Sequence, residues 1–126
     1  MRRALFVAAL ASGLLVGACD FGPKGPGELT GRLRSGSIPV GAIVLEFTGE
    51  GITGFSGSGV TRVFFAENDP GVFRVVLVTP EAGEMEFRIN VQDLDAPLPT
   101  VTAVEAVGAD NGAIGSLTGI TVEVKQ

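Results

Sequence analysis

From Glu28 to the C-terminus the chain is a succession of short apolar runs cut apart by turn residues. No window of a dozen residues there carries the 3.6-residue repeat of an amphipathic helix. The clearest run is Met85, Phe87, Ile89 and Val91, alternating with Glu84, Glu86, Arg88 and Asn90. A period of two puts one set on a buried face and the other in water, which is the pattern of a half-buried strand. Leu29, Gly31 and Leu33 alternate likewise with Thr30, Arg32 and Arg34, as do Ile120, Val122 and Val124 with Thr121, Glu123 and Lys125. Residues 42–47 are apolar on both faces as far as Glu46, as in a central strand. Residues 60–66 and 72–78 are rich in Val and Phe, which fit a pleated surface, and 101–107 follow a turn bearing Pro97 and Pro99. Clusters such as Thr48-Gly49-Glu50-Gly51, Asn68-Asp69-Pro70-Gly71 and Asp110-Asn111-Gly112 separate these runs. About seven to nine strands at intervals of roughly 8 to 15 residues predict an all-β fold, an antiparallel β-sandwich, with a small β-barrel as the alternative. Two-sided apolar strands are expected in the middle of the sheets and alternating ones at their flanks.

The N-terminus follows different rules. Arg2 and Arg3 precede an apolar run over 4–16, broken by Ser12 and Gly13, and small residues then lead to Cys19, the single cysteine. This is the layout of a helical signal peptide over 1–18. The run of about 13 residues is shorter than the roughly 20 that a bilayer-spanning helix needs. Leu15-Val16-Gly17-Ala18-Cys19 resembles the lipobox of bacterial lipoproteins. The resemblance implies cleavage before Cys19 and acylation of its thiol, palmitate being one such chain, and so a lipoprotein held on a membrane of the bacterial cell envelope. Two or three acyl chains, at about 0.8 kcal/mol per buried methylene, anchor durably where one does not. Acylation also accounts for an unpaired cysteine in an exported chain. Asp20 at the next position favours inner-membrane retention in lipoproteins resembling those of enteric bacteria. Residues 19–27 are then the lipidated cysteine and a Gly/Pro tether whose last seven residues reach about 25 Å at most, and 28–126 form the domain.

Without residues 1–18, about 108 residues remain, one ordinary domain. Seven basic side chains face fourteen acidic ones, a net charge of about −7. Such a surface repels nucleic acid and offers nothing to anionic headgroups, so attachment rests on the acyl chains. Gly 19 of 126 is roughly twice average usage, in keeping with many tight turns. There is no His, Trp or Tyr. Ser-His-Asp and Cys-His catalysis and His-based zinc sites are therefore excluded, and the chain is expected to be no enzyme and to need no cofactor.

Three segments resemble the cohesin-like group of bacterial β-sandwiches: residues 41–47, Val72-Phe73-Arg74-Val75-Val76-Leu77, and residues 83–89. The likeness covers most of 28–126 through hydrophobic patterns and implies a sandwich with a binding role. Cohesins proper are longer, and nothing here matches a dockerin-contact surface.

Other motifs give way to plainer readings. Gly49-Glu50-Gly51-Ile52-Thr53-Gly54 fits G-x-G-x-x-G and follows a strand, but Phe55-Ser56-Gly57-Ser58-Gly59 cannot open the helix a dinucleotide site needs. It reads as a glycine-rich loop or bulge. Ser58 stands where a nucleophile elbow requires glycine. Asn68 with Asp69, Asp93 with Asp95, and Asp110 with Asn111 place oxygen ligands in three loops; Asp93, Asp95, Asp110 and Asn111 are weak calcium candidates, and turn chemistry explains them equally. Asp93 and Asp95 side by side fit no hydrolase pair. Phe47, Phe55, Phe64, Phe65, Phe73 and Phe87 are expected in the core. The function expected is a lipid-anchored, non-enzymatic envelope protein acting in protein interaction or assembly; the alternative is a membrane-presented small-ligand or carbohydrate-binding module.

Overall fold

A computed structural model describes residues 25–126. Eight strands form: β1 (Gly27–Arg34), β2 (Val40–Thr48), β3 (Ile52–Gly57), β4 (Arg62–Asp69), β5 (Val72–Val78), β6 (Met85–Val91), β7 (Thr100–Gly108) and β8 (Thr121–Lys125). They make two antiparallel four-stranded sheets, ordered β3-β6-β1-β8 and β4-β5-β2-β7. The sheets do not close into a barrel, so the sandwich stands and the barrel alternative falls.

Only β4 and β5 are joined as a hairpin; every other connection crosses from one sheet to the other. The hairpin turns at Pro70-Gly71, where Gly71 has φ 78°, a conformation glycine adopts without steric cost. The crossings draw the core from the whole chain. Leu29, Leu33, Met85, Phe87 and Ile89 of the first sheet meet Ile43, Leu45, Phe47, Val75 and Leu77 of the second, all buried. The Phe47 ring lies 5.1 Å from that of Phe55 and 5.9 Å, edge-on, from that of Phe87. Gly31 pairs with Phe87 across β1 and β6, and any Cβ there would run into the Phe87 ring. The alternation around Phe87 therefore carries its expected register: Phe87 and Ile89 point in, Arg88 out.

Three expectations need correction. The segment 49–54, expected to be a loop or bulge, enters strand at Ile52, where β3 begins. Its ladder to β6 does contain a register shift between Ile52 and Gly54, and its glycines had hidden the strand. The alternating run β6 sits inside its sheet, between β3 and β1, and not at a flank. Alternation reports that one face is open to water, and both sheets of a two-layer sandwich have such a face, whatever a strand's lateral place. Phe64 is 59% exposed because it stands on the outward face, paired with Val76, and Phe65 is 45% exposed because β4 is an edge strand, its inward ring packing 5.4 Å from Phe55 at the rim of the core; the other four of those phenylalanines are buried.

Candidate interaction face

The two outward faces differ in chemistry. On the first sheet, outward residues of β1, β6 and β8 form a charged ladder. Arg34 lies 3.3 Å from Glu123, Arg32 lies 3.8 Å from Glu86, and Arg88 donates to the Thr30 hydroxyl at 3.3 Å. These follow from register: Arg32 is paired with Glu86 on one side and Glu123 on the other. Exposed pairs of this kind contribute at most about 1 kcal/mol each, but they keep that face wet.

The second sheet turns hydrocarbon outward. One cross-strand row reads Phe64, Val76, Val44 and Glu105; the next reads Arg62, Val78, Ala42 and Val107. A register shift between Val44 and Leu45 pushes Val104 out beside them, 40% exposed. One ion pair interrupts the apolar surface, Arg74 to Glu46 at 3.3 Å across β5 and β2. At the end of the face where β5 finishes, Gly59, Val60, Arg62, Val78, Thr79 and Pro80 line a shallow depression of about 490 Å³. In the sequence the outward valines mark a central strand. The signal that they also make a surface is the run 42–47 itself, since apolar residues on both faces of a strand in a two-layer fold must leave one set uncovered.

The calcium candidates are not brought together. Asp93 and Asp95 lie in the β6–β7 connection, at the end of the sandwich where β1 starts; Asp110 and Asn111 lie in the β7–β8 connection at the other end. Each pair serves a turn. An Asp93 carboxylate oxygen accepts the Asp95 N–H at 2.9 Å, and Asp110 accepts the Gly112 N–H at 2.9 Å. Asn111 has φ 65°, as that turn requires. Asn68 and Asp69 close β4. Among the described residues no group of three or more His, Cys, Asp or Glu is placed to hold a metal ion. Added calcium is therefore expected to leave the melting midpoint of the chain from residue 20 unchanged. A rise of about 4 to 8 °C per kcal/mol of binding stabilisation, absent with magnesium and lost in Asp95→Ala, would contradict this.

Cys19, the segment 1–18 expected to be a signal peptide and the expected tether as far as Lys24 lie outside the described residues. Among those described, no helix is long and apolar enough to cross a membrane. No family model, curated protein or solved structure matches the chain.

Proposed function

We propose that the protein is a lipid-anchored, non-enzymatic envelope module that holds a protein partner on the outward face of β4-β5-β2-β7. The observation that carries the binding reading is the contrast between the two outward faces, one a ladder of ion pairs and the other a row of Val44, Val76 and Phe64. An uncovered apolar patch rimmed by polar groups is the ordinary mark of a protein-binding surface. The anchor rests on the lipobox resemblance at Cys19. β1 begins at Gly27, directly after the tether, which keeps the end bearing Asp93 and Asp95 toward the membrane and leaves the sheet faces upright and accessible. The small-ligand or carbohydrate reading comes second: such sites use flat aromatic platforms, and this face carries one exposed ring, Phe64.

The test is crosslinking in native cells followed by pull-down of the tagged chain and of its Val76→Lys variant. Val76 is half-buried on the outward face, so a lysine there is expected to cost about 1 kcal/mol or less in stability and to abolish capture of a reproducible envelope protein. Equal capture by both forms would remove this face from the reading.

A further inference from the structure

The second sheet ends at β4, and β4 is the least protected edge of the sandwich. β7, the other edge of that sheet, is covered over its last residues by its own connection: Ile114 N–H donates to Ala106 O at 3.0 Å and Gly108 N–H to Gly112 O at 2.8 Å. β3 is short and its ladder is shifted, and β8 has five residues. β4 has eight residues, none of them proline or lysine, and no described strand or loop pairs with its free side. Natural sheets rarely leave so long an edge open.

We infer that β4 pairs antiparallel with β4 of a second copy of this chain, joining two four-stranded sheets into one of eight strands. The strand is self-complementary in charge. Arg62 stands at one end and Asp69 at the other, and neither has an ion pair among the described residues. Both point outward, since Arg62 is paired with Val78 and Asp69 with Val72, which share the outward face of β5. A two-fold axis through Phe65 sets Arg62 of each copy against the Asn68–Asp69 bulge of the other, within reach of a long side chain. The same register sets Phe64 opposite Ala66, Val63 opposite the stem of Glu67, and Phe65 against its own copy. No like charges meet. The exposed rings of Phe64 and Phe65 lose their water in the same step, and the apolar face proposed above becomes continuous across the seam.

The pairing has a directional consequence. β1 starts at the end of the sandwich where β4 finishes, so the two chain starts fall at opposite ends of the joined sheet.

The inference is independent of any envelope partner and is tested on the chain alone. Residues 27–125 contain every described strand and the described core, so the chain from residue 20 is suited to sedimentation. The expected result is a concentration-dependent dimer that Arg62→Asp and Asp69→Arg each weaken at least tenfold. An equimolar mixture of the two variants should dimerise again, because each then supplies the charge the other lacks. Both positions are exposed, and circular dichroism would confirm that both variants fold. A wild-type chain that stays monomeric into the hundreds of micromolar, a dimer indifferent to both substitutions, or a mixture that does not recover would each overturn the inference.

Discussion

Phe87→Ala is expected to lower the unfolding free energy by about 3 to 5 kcal/mol, whereas Arg88→Ala next to it should change stability by about 0.5 kcal/mol or less. Phe87 has no exposed surface, touches the Phe47 ring edge-on, and fills the space that Gly31 leaves open across the strand pair. Truncation removes the ring and leaves a cavity where two sheets meet, and the surrounding backbone, fixed by two ladders, cannot collapse into it. Arg88 points the other way, about two-fifths exposed, with a long contact to Glu86 at 4.0 Å and a bond to Thr30 at 3.3 Å, and such exposed pairs contribute little. A domain of this size has a total stability of about 5 to 15 kcal/mol, so the Phe87 variant loses roughly a fifth of it at the least. Denaturant melts of the two variants decide the matter. Equal costs would mean that β6 is out of register by one residue, because a slip of one exchanges the two faces.

Cys19→Ser is expected to have the largest effect on location. The thiol is the acyl acceptor in the lipobox reading, and a hydroxyl at that position ends both acylation and the processing that depends on it. Labelled fatty acid should no longer enter the chain, which should accumulate uncut or be released from the membrane fraction. With a net charge of about −7, the domain has no electrostatic hold on anionic lipid that could replace the anchor. A processed Cys19→Ser chain that still partitions with membranes would contradict the anchor and point to attachment through a bound protein.

What the sequence made legible was governed by period. Wherever apolar and polar residues alternate strictly, as around Phe87 and Leu33, strand, face and register could all be read, because a period of two has no other structural meaning. Ile52–Gly57 escaped because Gly54 and Gly57 carry no side chain to mark a face. Its place as a strand is set by pairing with β6, a tertiary contact between distant parts of the chain. Phe64 and Phe65 escaped for a related reason. Aromatic content marks a strand, but two adjacent rings must point to opposite faces: Phe64 turns outward with Val76, and Phe65 turns inward at the edge of the sheet, where the core is thin. The acidic loops were legible as turns, and their separation to opposite ends follows once β7 runs the length of the sandwich between them. The face proposed for interaction was legible only in part: residues 42–47 are apolar on both sides in the sequence, and the two-layer architecture leaves the outward side bare.

Site-specific photocrosslinking in the native envelope asks directly which outward face meets the proposed partner. A photoreactive residue at position 76, amid the apolar row, is compared with one at position 32, amid the ion pairs of the opposite face. Adducts of defined mass from position 76 and none from position 32 are the predicted result. Adducts from position 32 alone, or from neither position, would contradict it.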